Sequence, residues 1–180
     1  MDNTRSSYQA LCAAPSGELE ELLRAGTTPA FEDLAGWEFR GFNTNPAAEL
    51  LRIRKFKKGF TWDPRDPRAL LGYNVKVRQN GLLNPWIPKL AQGEPIRHAP
   101  FAVYPVRAGD RDNRYPNGLL LDYWDVPGRA LVDPAQLLRD YLVQVSADDK
   151  DLYLGKAYGA VGPLRVVGGY FVLARENKVL

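Results

Sequence analysis

Two periods run through this sequence, and the shorter one dominates. Trp37, Phe39 and Gly41 alternate with Glu38, Arg40 and Phe42, and Tyr73, Val75 and Val77 alternate with Asn74, Lys76 and Arg78. Such alternation marks a strand with two chemically different faces. Asn80-Gly81 follows as a turn signal, Phe101 to Tyr104 is a short run between Pro100 and Pro105, and Asn117-Gly118 introduces Leu119 to Trp124. In the last third, Tyr141, Val143 and Val145 alternate, Asp148-Asp149-Lys150 turns, and Leu152 to Tyr158 runs back. Gly159 to Pro163 turns again, and Leu164 to Arg175 closes the series. Connections this short demand antiparallel neighbours, because a parallel crossover takes about a dozen residues or more. Tyr170, Phe171, Val172 and Leu173 make the final strand apolar on both faces. One face is then expected to line an interior and the other to be covered by the N-terminal helix.

The helical period has little room. Fourteen prolines interrupt the chain and leave 16–28, 47–63 and 135–162 open to helix. Leu19, Leu22 and Leu23 form one stripe, Glu18, Glu20 and Glu21 suit the positive N-terminal end, and Gly26 is a stop. This predicts a helix over about 17–25. Pro46, Ala47, Leu50 and Leu51 allow a second short helix near 46–51, while Leu51 and Ile53 also alternate with Arg52 and Arg54 as a strand would. The expected fold is all-β and mostly antiparallel. A single β-barrel spans residues 1–180, with one or two short helices and helix 17–25 packed on it.

The 180 residues, 45% hydrophobic and 25% charged, suffice for a sizeable core. No run approaches the ~18 apolar residues of a membrane span, and no apolar leader follows Met1 to Arg5. Cys12 is the single cysteine, so no internal disulfide forms, and a cytoplasmic, reducing setting is expected. The net charge of +3 is unevenly spread: residues 51–80 carry nine basic side chains against Asp63 and Asp66. The cluster Arg52, Arg54, Lys55, Lys57 and Lys58 is a place for a phosphate, an anionic lipid or an acidic partner, or else a solvated face. Lys55-Phe56-Lys57 and Lys58-Gly59-Phe60 interleave basic and aromatic residues too briefly to make a nucleic-acid partner the expectation.

Candidate chemistry is sparse. His98, the single histidine, has no ligand-spaced company, so neither a metal nor any other cofactor is expected. The glycines match no phosphate-binding fingerprint. The segment Asp122-Tyr123-Trp124-Asp125 is more informative. Asp122 stands between Leu120 and Trp124 in an apolar row of an extended strand. Facing a cavity, its carboxyl would be desolvated and suited to proton transfer or to holding a ligand; facing solvent or an arginine, it is structural. Glu38, between Trp37 and Phe39, raises the same question but shares its face with Arg40.

Leu34-Ala35-Gly36-Trp37-Glu38-Phe39-Arg40-Gly41 resembles the opening strand of calycin barrels, particularly of proteins named for a Gly-x-Trp-x-Gly motif. Lys57-Lys58-Gly59-Phe60 is an approximate counterpart of the Gly-Lys-x-Phe-like stretch of that group. Asn117 to Asp125, Leu152 to Lys156 and Gly169 to Arg175 are similar in order to a companion C-terminal region of unknown function. Trp37 here follows Gly36 directly instead of standing one residue further on. The resemblance implies a lipocalin-like barrel and little about activity. Related haem-binding barrels use a late histidine, which is missing here.

The leading expectation is therefore a small, largely apolar ligand inside the barrel, against Trp37, Phe39, Leu120, Trp124 and Tyr170. An alternative is a cofactor-independent cyclase or isomerase acting on a natural product, with Asp122, Glu38 and Tyr158 as its acid and base groups. A second alternative is an adaptor for nucleic acid or an acidic partner through residues 52–58. Oligomeric state is not legible in the sequence.

Overall fold

The computed structural model describes residues 3–124, 126 and 134–179. Two helices come first, α1 (Asn3–Ala13) and α2 (Ser16–Ala25), followed by the one-turn α3 (Phe31–Leu34). Strand β1 (Trp37–Asn43) leads through the one-turn α4 (Ala47–Leu50) to β2 (Lys55–Asp63) and β3 (Asp66–Lys76). A minor hairpin, β4 (Leu90–Ala91) with β5 (Glu94–Pro95), precedes β6 (Arg97–Pro105). The chain ends through β7 (Leu119–Asp122), β8 (Leu138–Gln144), β9 (Leu152–Val161) and β10 (Leu164–Lys178).

Eight strands close into one barrel, ordered β1-β10-β9-β8-β7-β6-β3-β2 and then back to β1, every pair antiparallel. The expected all-β barrel with a few short helices is what the chain forms. Gly36 enters β1 with a left-handed backbone, φ 76°, a conformation that costs glycine little. Its N–H donates to Phe60 O at 2.8 Å and its carbonyl accepts from Val179 at 2.9 Å, tying both ends of the barrel strand series together.

Alternation sorts the side chains into two cores. The inner one holds Phe39, Phe60, Leu70, Phe101, Leu121, Leu142, Tyr153, Phe171 and Leu173, with Leu34 of α3 plugging one end. Its rings meet edge to face, Phe39 with Tyr153 at 5.3 Å and Phe60 with Phe101 at 5.6 Å between centroids. The outer core lies beneath the helices. Tyr8 and Leu11 of α1, with Leu19 and Leu23 of α2, pack with Tyr170 and Val172 of β10 and Leu152 and Leu154 of β9. That arrangement explains why the final strand is apolar on both faces. Helix α1 covers β10, and α2 covers β9.

Three elements differ from the sequence reading. Helix α1 lies ahead of Pro15, outside the stretches considered open to helix, and its buried stripe is Tyr8, Leu11 and Cys12. Residues 55–63, open to helix by their lack of proline, form β2 because the barrel pairs them on both sides. Strand β6 runs through Pro100, which falls where β3 and β6 lose register between Gly72 and Asn74. A bulge asks no ladder hydrogen bond of the proline.

The interior is closed by rings laid on glycines. A methyl on Gly155 would stand 2.0 Å from the Phe171 ring, and one on Gly72 would stand 2.2 Å from Phe101. Gly155→Ala is therefore expected to lower stability by about 1–3 kcal/mol through overpacking. Urea denaturation measures it, and an unshifted midpoint would show that the ring has room to retreat.

Candidate anion-binding groove

The inner core contains one polar group of side chains. Lys58, fully buried on β2, donates from Nζ to Asn74 Oδ1 at 3.0 Å, to Asp140 Oδ2 at 3.2 Å and to the Tyr123 hydroxyl. Tyr123 donates in turn to Asp140 Oδ2 at 2.9 Å, and Asn74 Nδ2 to Ala99 O at 3.1 Å. Burial pulls the Lys58 ammonium below its ordinary value, and the Asp140 carboxylate opposes the shift. The rings of Phe101 and Phe171 face the ammonium at 4.7 and 5.3 Å. This cluster is enclosed; both hydrogen bonds to Asp140 go to Oδ2, and its buried Oδ1 has no hydrogen-bond partner.

A second polar cluster lies on the outer wall under α2. Glu20 accepts from Lys156 at 2.7 Å, Tyr170 at 2.8 Å and Tyr115 at 3.0 Å, and Tyr115 meets Tyr158 at 3.1 Å. Burial alone would raise the Glu20 carboxyl, but the hydrogen bonds from Lys156, Tyr170 and Tyr115 outweigh it and hold it at about 2. The cluster fastens the helix to β9 and β10.

The residues singled out in the sequence fall in separate places. Phe39 is deep in the inner core, and Trp37 lies at the barrel end with the Arg175 guanidinium 4.5 Å from its ring centre. Leu120 belongs to the outer core, Asp122 pairs with Arg139 at 3.2 Å, and Trp124 is half exposed, so this row faces outward. The interior takes the other row, Leu119, Leu121 and Tyr123. Glu38 faces outward from β1 and accepts from Tyr73 at 3.1 Å, with Lys57 at 3.8 Å. Tyr158 and Tyr170 are brought together around Glu20 and Lys156, apart from both Asp122 and Glu38. Asp125 lies outside the described residues. Cys12 is buried, which pushes its thiol up to about 12. Among the described residues no three of His, Cys, Asp and Glu are grouped as a metal would need.

The basic segment divides between the two faces of its strand, as alternation requires. Lys58 points in and Lys57 points out to Glu176 at 3.2 Å. Lys55, also outward, organises the connection after β3. Its Nζ donates to Asn80 Oδ1 at 2.5 Å and to the carbonyls of Gly81 and Asn84 at 2.9 and 2.8 Å, and it sits 3.9 Å from the Trp86 ring centre. Gln79 acts as a strand substitute for Lys55, accepting from its N–H at 2.8 Å and donating to its carbonyl at 2.7 Å.

Between that connection and the 43–55 segment runs a groove of about 720 Å³. Its walls carry Arg52, Arg54, Lys55, Arg78 and Lys89, with Phe42 and Leu82, against one carboxylate among the described residues, Glu49. Glu49 is taken by Arg54 at 2.6 Å. Among the described residues Arg52, Arg78 and Lys89 make no ion pair, and all three are exposed. Arg52 has a left-handed backbone, φ 55°, which costs a side-chain-bearing residue about 1 kcal/mol or more. The charge count over 51–80 contained Arg52, Arg54, Lys55 and Arg78; nothing in the sequence pointed to Lys89, which folding brings in from beyond the Asn80-Gly81 turn.

No family model, no curated protein and no solved structure matches this chain. The closed antiparallel barrel is the part of the calycin resemblance that is shown; kinship with that family has no support from those comparisons. No helix among the described residues is long and apolar enough to cross a membrane.

Two measurements test the polar clusters. Lys58→Met leaves Asp140 buried without its cation and is expected to cost about 3–5 kcal/mol, while Lys58→Met with Asp140→Leu recovers most of it. Equal losses in the single and double variants would show that the pair is not a unit. For Glu20 the folded carboxyl lies at about 2 against an ordinary 4.5. Its contribution is complete above about 4.5 and is lost as pH falls towards about 2. Glu20→Gln should therefore be less stable than the parent at neutral pH, with the gap closing through that window; a constant gap in acid melts would contradict this.

Proposed function

We propose that this protein binds a small anionic molecule, one bearing phosphate or carboxylate groups, in the groove between the 43–55 and 77–89 segments. The observation that carries the reading is Arg52, kept in a left-handed conformation beside two further cations that have no acidic partner among the described residues. Glycine would adopt that backbone without strain, so the arginine side chain stands there at a local cost. Three cations converging on one concave surface raise its potential, and guanidinium forks match phosphate and carboxylate geometry. Phe42 and Leu82 give the groove an apolar wall, which suits a ligand with a carbon skeleton behind its anionic group.

The site is placed outside the barrel because side chains fill the inner core, Phe39, Phe60, Phe101 and Phe171 among them. Binding is favoured over turnover for a chemical reason. Arginine does not deprotonate at any pH of interest, Lys55 is held by the Gly81 and Asn84 carbonyls and Glu49 by Arg54, so among the described residues Lys89 has no acid–base partner in the groove.

Titration calorimetry with inorganic pyrophosphate tests the reading. Binding should weaken as salt rises, because the interaction is between exposed charges. Arg78→Glu with Lys89→Glu should weaken it by about tenfold or more. Arg52→Gly should also weaken binding yet leave stability within about 1 kcal/mol of the parent, since strain is relieved while unfolded-chain entropy rises. Pyrophosphate heats that are absent at low salt, or unchanged in the charge-reversed variant, would overturn the proposal.

A further inference from the structure

The antiparallel order gives the barrel two unlike ends. At one end stand the connection 43–55, the departure of the 77–89 segment and the turn between β9 and β10. At the other stand α3, the turn between β2 and β3, the connection 106–118, and the turn between β8 and β9. The large apolar side chains exposed among the described residues are distributed very unequally between them. Only Trp62 and Tyr104 belong to strand ends at the second; the others lie in connections that leave the first, or in strand residues there. Leu50 is 88% exposed, Leu51 66% and Ile53 51%, while Leu164, Val166 and Val167 are 64%, 59% and 57% exposed on the neighbouring hairpin. Asn45 Nδ2 donates to Gly168 O at 3.1 Å and Thr44 N to Tyr170 O at 2.9 Å, so these two apolar groups share one platform. The turn between β8 and β9 at the opposite end carries Asp148, Asp149, Lys150 and Asp151, with Lys150 paired to Asp33 at 3.0 Å and Asp151 to Arg175 at 2.6 Å.

The platform is continuous with the groove. Leu50 and Leu51 directly precede Arg52, and Ile53 stands between Arg52 and Arg54. Apolar tips alternating with cations, on turns that protrude instead of forming a flat face, match the boundary between lipid headgroups and acyl chains. There the apolar side chains enter the acyl region, while arginine and lysine remain at the level of the phosphates. A protein partner fits less well, because the centre of a protein interface is depleted in charge, and here Arg52 stands within the apolar group.

We infer that this end of the barrel docks on a membrane surface containing anionic lipid, with Leu50, Leu51 and Ile53 inserted beside the hairpin and the groove cations on the headgroup phosphates. The inference rests on the anion-binding reading of the groove and commits that anion to a lipid headgroup. The turn between β8 and β9 then points away from the bilayer.

Vesicle co-sedimentation tests the docking, with vesicles of phosphatidylcholine alone and of phosphatidylcholine mixed with phosphatidylserine. The protein should pellet with the mixed vesicles and stay in solution with the neutral ones. Leu50→Ser with Leu51→Ser alters two exposed side chains, so the fold should survive. That variant should lose vesicle binding by about tenfold or more, each buried leucine side chain contributing substantially to transfer from water, and should keep its pyrophosphate affinity. Arg78→Glu with Lys89→Glu should lose vesicle binding by about 30-fold or more and lose pyrophosphate with it. Failure to pellet with the mixed vesicles while pyrophosphate still binds would overturn the docking and leave the groove reading intact. Failure of both would overturn both. Vesicle binding that survives in the leucine variant would also overturn the docking. So would tight binding of a single-stranded RNA oligonucleotide without vesicle binding, or self-association, followed by sedimentation velocity, that disappears in the leucine variant.

Discussion

Pairing β1 with both β2 and β10 removes the last free edge of the sheet, and the other features of the molecule depend on that closure. An open sheet would offer the main chain of its first and last strands to any passing strand. Once closed, the barrel has an inside that must be filled and an outside that must be covered or solvated. The Arg175 guanidinium over Trp37, with the Val179-to-Gly36 hydrogen bond, holds the two chain ends of the barrel at the seam. Helices α1 and α2 then cover β10 and β9, and the outward rows of those strands become a second core.

Filling the inside imposes its own limits. Rings from β1, β2, β6, β9 and β10 take the space, and glycines such as Gly72 and Gly155 are the sites where another strand's ring rests against main chain. Lys58 and Asp140 are the exception to an apolar filling. A buried ion pair contributes little net stability, yet removing one partner is costly. Strand register therefore has a penalty attached to it: a slip of β2 that puts Gly59 in the place of Lys58 would leave Asp140 buried without its cation. Tyr123 and Asn74 complete the arrangement by using the remaining hydrogens of the ammonium.

Because side chains fill the interior, the groove lies outside it, among the connections between strands. Lys55 links the barrel to the groove: its ammonium gathers the carbonyls of the 80–85 turn, and that turn positions Leu82 and the chain leading to Lys89. Burial lowers the ammonium's proton affinity, with Glu176 opposing the shift. The lysine is thus a structural cation whose work is to hold Arg78 and Lys89 opposite Arg52.

The sequence alone carried the all-β class, the antiparallel order of the last strands, a short helix over about 17–25 and the excess of positive charge over 51–80. Each is a local property, set by period, turn residues or composition. It did not carry the direction in which each strand faces. Period two names two rows, and in β7 both are credible linings: Leu119, Leu121 and Tyr123, or Leu120, Asp122 and Trp124. Covering helices remove the usual clue, because they make outer rows apolar too, and only closure decides that Tyr123 goes in and Asp122 meets Arg139. Lys57 and Lys58 show the same limit, being neighbours in sequence whose environments alternation makes opposite. The groove is the extreme case. Arg52 and Lys89 are far apart along the chain, and they meet because Lys55 folds one connection back against another, an interaction that exists only once β1, β2 and β3 have paired.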